Sequence, residues 1–308
     1  MSTVKKSQHY VWRNYLRAWA NNEQIWTFLR KQNKVISTNL QNVAQSNYYY
    51  KLNDINDFEE TILKEFIAKS PKSVQAWQHD FLSMFTIQTK LKKAFNKSKS
   101  HEILEEIKKI EINSMENAHS KIELSGEKLI ACRTFEDLKF IEQSNSRFDA
   151  IIFLCFQYFR TKNLKNRIKQ SFKTESSFPT LNTWNILSFF MALNTAEYIS
   201  LNPKTRFLFI KNTASKALIC SDQPVINLQS DKVDENGEVL DLELYYPLSP
   251  NSAVVIDFNN NKGKERSQNI EIKEDMVNWF NSKIIADFDN FIFSNNKEQL
   301  DKLMKTSP

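Results

Sequence analysis

The apolar positions change period twice along the chain. Residues 8–50 open with an aromatic segment, His9-Tyr10-Val11-Trp12 through Tyr15-Leu16 to Trp19. Two alternating runs follow, Gln24–Arg30 and Lys34–Leu40, joined by the polar turn Lys31-Gln32-Asn33. Ile25, Thr27 and Leu29 alternate with Trp26, Phe28 and Arg30, which predicts a hairpin with one buried face. Residues 54–202 read as helical. Asp54 or Asp57 is placed to cap a helix to about Lys69, with Glu59 and Glu60 in its first turn. Pro71 suits the start of a helix that carries Val74, Trp77, Phe81, Leu82 and Phe85 and extends to Phe95. His101–Leu124 is amphipathic, Thr134–Glu142 a short helix, Ser146–Ser171 a long one, and Thr180–Leu201 a mostly buried one.

From 205 to 259 the period shortens again, with strands predicted at Arg206–Lys211, Ala217–Leu228, Leu240–Leu248 and Ala253–Phe258. Asn236-Gly237, in the turn from Asp234, is the strongest hairpin signal in the chain. Asn259–Gln268 reads as a mobile loop. Lys273–Phe288 reads as a helix, Phe291–Ser294 as a strand and Lys297–Met304 as a terminal helix. Strands, a helical block and strands again predict an α+β protein. The chain is read as one domain over 1–308, predominantly helical, with a mixed, mostly antiparallel sheet. That sheet is expected to combine the hairpin near 24–40 with the strands of 205–259, because an isolated hairpin is only marginally stable.

Composition narrows the chemistry. With 3 Gly among 308 residues there is no GxGxxG or P-loop, and turns must lean on Asn, Asp and Ser. The formal charge of +6 is compatible with an anionic partner. Cys132, Cys155 and Cys220 are isolated from one another and from His, which argues against structural zinc and a disulfide framework. The N-terminus has no apolar signal segment and no run approaches the roughly 18–20 apolar residues of a membrane span. The expected compartment is the cytoplasm, with no membrane partner.

Several motifs recur in order. HYVWRNYLRAWA resembles an HYVPQxYLRxF signature, FQYFRTKNLKNRI a Q-x-x-R-T-P segment, SDQPV an S-D-N-P-V corner and YYPLSPN a P-L-S-P tract. A late helix with Asn278 or Asn281 followed by FIFS completes the set. This order is similar to that of the bacterial domain-of-unknown-function family 4238, over nearly the whole chain. Trp12-Arg13 and Lys162 depart from it, standing where that family has Pro-Gln and Pro. The resemblance implies a fold boundary and no activity.

The candidate site residues come from these motifs. His9 can act as a general base or phosphate donor. Glu60 can supply a carboxylate, although acidic residues in a first turn also favour the helix dipole. Gln157 and Arg160 share a helix face. Arg160 either pairs with Asp222 or Glu60 or clamps an anionic ligand such as phosphate. Asp222, where a core strand ends at Ser221-Asp222-Gln223-Pro224, is read as a metal ligand, a general base, a pocket acceptor or a turn cap. Ser221 lies beside it as a binding residue without a nucleophile elbow. Lys90–Lys99 and Lys162–Lys173 are basic clusters, either solvated faces or a track for nucleic acid. Tyr48-Tyr49-Tyr50 can stack on bases or fill a hairpin.

Three functions are carried forward. The first is a phosphate-directed hydrolase, above all a nuclease acting as a toxin or phage-defence effector. It would use His9, Glu60 and Asp222 catalytically and Gln157, Arg160 and Ser221 for binding, with Mg2+ or Mn2+ on Glu60 and Asp222 if a metal takes part. The second is a non-catalytic nucleotide or nucleic-acid sensor. The third is an interaction subunit of a larger defence assembly.

Overall fold

A computed structural model describes residues 6–95, 101–171, 180–235, 239–258 and 266–306. Its first strand, β1 (Ser7–His9), pairs antiparallel with β4 (Gln45–Asn47). Between them lie α1 (Arg13–Leu16) and the hairpin β2 (Gln24–Leu29) and β3 (Lys34–Asn39). The helical block follows: α2 (Asp57–Lys69), α3 (Lys72–Phe95), α4 (His101–Ser125), α5 (Glu127–Ala131), α6 (Phe135–Leu138), α7 (Ser144–Phe159), α8 (Lys162–Ser171) and α9 (Thr180–Leu201). The remaining elements are β5 (Arg206–Asn212), β6 (Cys220–Ser221), β7 (Ile226–Asn227), β8 (Leu244–Ser249), β9 (Ser252–Asp257), β10 (Ser267–Ile272), α10 (Glu274–Asp287), β11 (Phe291–Ser294) and α11 (Lys297–Thr306). The protein is α+β, with mixed and antiparallel sheets.

The hairpin and the 205–259 zone meet in one sheet through β6, while the zone's other strands build a second. The hairpin joins the C-terminal strands in the order β3-β2-β11-β6, all antiparallel. The rest of the 205–259 zone, together with β10, builds a second sheet, β10-β5-β9-β8-β7, mixed because β10 runs parallel to β5. The second sheet is covered on both faces, so every residue of β8 and β9 is buried. Leu244, Tyr246, Leu248, Val254 and Ile256 face one core with α7 and α9, while Tyr245, Ala253 and Val255 face another with α10. On α10, Val277, Phe280 and Ile284 recur at helical spacing and fill that second core. Trp19 anchors the aromatic segment by donating Nε1 to the Leu218 carbonyl at 2.8 Å.

Four local expectations are corrected. Ala217–Leu228 is not one bent strand: β6 and β7 belong to different sheets, and the corner between them carries the chain across. Before β6, the backbone of Ala217 and Ile219 bonds the side-chain amides of Gln299 and Asn281 instead of a ladder. The helix over 146–171 breaks at Arg160-Thr161. Tyr49 donates its hydroxyl to the Arg160 carbonyl at 2.8 Å and Gln223 Nε2 donates to Tyr158 at 3.4 Å, so acceptors of the last turn are claimed from outside. Asn56, not an Asp, caps α2, in a capping box with Glu59. Gln268, expected in a loop, lies in β10; residues 259–265 are outside the described residues, as are Asn236 and Gly237. Positive φ falls at Asn22 and Asn33, as the Gly shortage suggests, but also at Glu23, Ala44 and Tyr48. Among the described residues no helix is long and apolar enough to cross a membrane.

Candidate functional site

The corner after β6 uses its polar atoms internally. Asp222 is 1% exposed. Its Oδ1 accepts the Asp289 amide at 3.0 Å, and its Oδ2 accepts those of Asn290 and Phe291 at 2.9 and 3.1 Å. Burial pushes the carboxyl up to about 7 against the pull of these amides, and the nearby Asp289 adds to the rise. The Ser221 hydroxyl donates to the Gln223 carbonyl and accepts the Gln223 amide, closing a local turn. Gln223 accepts from the Thr161 hydroxyl and donates to Val225 O at 2.7 Å, which pins the corner to the end of α7.

Arg160 is 3% exposed and pairs with neither Asp222 nor Glu60. Its Nη1 donates to Glu123 Oε1 on α4 at 2.8 Å, and its Nη2 donates to Gln157 Oε1 at 2.8 Å. Burial opposes its charge, but Tyr50 and Glu123 outweigh it and hold the guanidinium protonated. Arg160 Nε, Gln157 Nε2, His119 Nδ1 and the Tyr246 hydroxyl are buried without hydrogen-bond partners among the described residues. His119 is buried and packs against Tyr50, with ring centroids 4.3 Å apart and the rings tilted by 34°. The clamp residues therefore brace a polar seam inside the core.

His9 ends β1, half-buried. Its Nδ1 lies 3.1 Å from the Val43 carbonyl, which selects the Nδ1–H tautomer and leaves Nε2 as an acceptor. Burial, then Arg13, lowers its pKa to about 4; the Val43 bond opposes this and Arg160 reinforces it. Glu60 lies in the first turn of α2 and pairs with Lys64 at 2.6 Å. No hydrogen bond among the described residues joins His9, Arg160 and Asp222, although the Arg160 charge acts on His9, and Glu60 pairs with Lys64. Among the described residues no group of three or more His, Cys, Asp or Glu is placed to hold a metal ion, and both oxygens of Asp222 are engaged by backbone amides.

A different constellation lies beside His9. The Lys162 ammonium, where α8 begins, stands 4.6 Å from the Tyr10 ring centroid and 5.7 Å from that of Tyr49. The two rings are 5.1 Å apart, tilted by 41°. Lys162 makes no ion pair or hydrogen bond among the described residues. Burial lowers its pKa, against Asp289 and Asp222, and Lys31 lowers it further. Ala44 and Tyr48, with φ of 46° and 53°, bracket β4, which holds β1 in place. Backbone strain of this kind costs about 1–3 kcal/mol per residue and gathers where geometry is functionally constrained. In the sequence Lys162 stands out only as a residue in the place of a Pro and as part of a basic run; the fold brings Tyr10 and Tyr49 beneath it. Cavities of about 350 and 470 Å3 are lined by other residues, around Glu243–Asp257 and around Lys216–Gln299.

Comparison with known proteins yields a family. Residues 7–298 match DUF4238, protein of unknown function, and the chain belongs to that family. No curated protein and no solved structure matches it.

Proposed function

We propose, for this member of a family of unknown function, a non-catalytic binding protein that takes the phosphate of a nucleotide or nucleic acid at Lys162. The observation that carries this reading is the half-buried ammonium held over Tyr10 and Tyr49 with no hydrogen-bonded counter-ion among the described residues. Lys31 adds positive charge nearby, and of the two acids that act on Lys162, Asp289 and Asp222, the second is already engaged by three backbone amides. Asp222 and Glu60, expected to be catalytic, and Ser221, expected to bind, all make hydrogen bonds or ion pairs within the fold, which supports binding over turnover at them. The test is fluorescence anisotropy with labelled RNA, DNA and nucleotides, comparing wild type with Lys162→Ala. A loss of affinity of about tenfold or more in the variant is expected, since charge-assisted phosphate contacts are strong. Absence of binding by wild type to every probe ends the reading.

One observation favours metal-independent phosphodiester hydrolysis as a second reading. His9 is a neutral imidazole, oriented by Val43, with Nε2 unbonded among the described residues. Cleavage of RNA that persists in EDTA and disappears in His9→Asn would select hydrolysis over binding alone.

A further inference from the structure

We propose that the outer face of α4 is the dimer interface of this protein, pairing antiparallel with α4 of a second copy. The helix runs from His101 to Ser125, 25 residues, about 37 Å at 1.5 Å per residue. Six exposed positions, Ile103, Glu106, Ile110, Asn117, Lys121 and Leu124, fall within about 60° of arc at 100° per residue. Three of them are large apolar side chains left open, Ile103 at 36%, Ile110 at 46% and Leu124 at 62% exposure.

The order of the six residues identifies the occupant. A two-fold axis between Asn113 and Ser114 sets Ile103 against Leu124 of the second copy. It also sets Glu106 against Lys121 and Ile110 against Asn117. Each pairing occurs twice, as an isologous interface requires. Apolar side chains therefore meet at both ends of the seam, and an acid meets a base between them. Asn117 lies a heptad from both Ile110 and Leu124, so the one face is continuous along the helix. Lys121 has no ion pair among the described residues, and Glu106 has only the i,i+3 partner Lys109. An unrelated partner would not require this internal symmetry; a second copy of the same helix does.

One helix pair buries less than the roughly 1,200–2,000 Å2 of a standard stable interface, so a dimer with Kd of tens of micromolar is expected. The experiment is sedimentation velocity on the full chain from about 1 to about 200 μM, a span that brackets that affinity. The variants are Glu106→Lys, Lys121→Glu and the double exchange, with circular dichroism as a check on folding. Wild type should shift from monomer to dimer across the range. Each single exchange sets like charges opposite one another at two symmetric places and should raise Kd by about five- to tenfold. The double exchange restores opposite charges and should recover wild-type affinity to within about threefold. A wild type that stays monomeric throughout overturns the proposal. So does a dimer indifferent to the single exchanges, or a double exchange that fails to recover.

Discussion

The seam around Arg160 and Asp222 and the face around Lys162 contain the same kinds of residue in opposite states. Arg160 is closed in by Glu123 and Gln157, and Asp222 receives three backbone amides. Lys162 has only two rings beneath it and no hydrogen-bonded anion among the described residues. A charged side chain in a suggestive motif can be the device that lets a core tolerate polarity. The difference between structural and available charge lies in what the remaining donors face, and residue type alone does not reveal it.

The largest expected effect breaks the closed region. Arg160→Met removes the guanidinium and leaves Glu123, 14% exposed, facing an apolar chain. Leaving one member of a buried pair costs about 3–5 kcal/mol, so urea denaturation should show a loss of that size. Arg160→Met combined with Glu123→Leu should return a substantial part of it. A loss under about 1 kcal/mol for the single variant would mean that Arg160 is not structural and would reopen the clamp reading.

Next in size is Asp222→Ala, which leaves the amides of Asp289, Asn290 and Phe291 without their acceptor. Orphaned buried donors cost about 1–3 kcal/mol each where water cannot reach them, and partial relaxation should hold the total to about 2–4 kcal/mol. Hydrogen exchange should rise at those three amides first. Unchanged protection there would contradict the capping role.

Acid titration separates His9 from Asp222 by sign. Asp222 has its pKa raised from 3.8 to about 7, so its contribution is complete below the unfolded value and is lost as pH rises through about 7. His9 is lowered from 6.5 to about 4, so its contribution is present above 6.5 and is lost as pH falls through about 4. His119 is also lowered by burial and shares the sign of His9. Between these limits the two slopes oppose one another. Asp222→Asn should therefore make stability fall more steeply on acidification, and His9→Asn should make it fall less. Denaturation midpoints taken at several pH values from 4 to 7 decide this; parallel curves for all three proteins would refute the assignment.

The legible parts of this fold were those set by local period. The helices over α3, α4 and α9 and the hairpin β2–β3 follow from repeats within each segment. The break between α7 and α8 was not legible, because its causes, Tyr49 and Gln223, lie far away in sequence. β10 was missed because SQNIEI is mostly polar and exposed, and it earns its place only by parallel pairing with β5. The partner of Arg160 was hidden for a similar reason: Glu123 is one acid among many on an amphipathic helix. Of the site, His9 was legible from its motif. Lys162 over Tyr10 and Tyr49 was not, since three distant segments create it.

The smallest expected stability effect completes the comparison. Lys162→Ala forfeits a cation–π contact worth about 0.5–2 kcal/mol, but it also relieves the cost of holding an ammonium half out of water. The two terms oppose, so thermal unfolding should move by no more than about 1 kcal/mol in equivalent stability, well below either change in the closed region. Lys162→Met, which keeps the apolar stem over the tyrosines, should be at least as stable as wild type while losing the charge. If both variants unfold as easily as Asp222→Ala, the ammonium is as structural as the Arg160 guanidinium and the distinction between the two regions fails. If both keep the fold and lose affinity for phosphate-bearing probes, the charge was held available for a ligand.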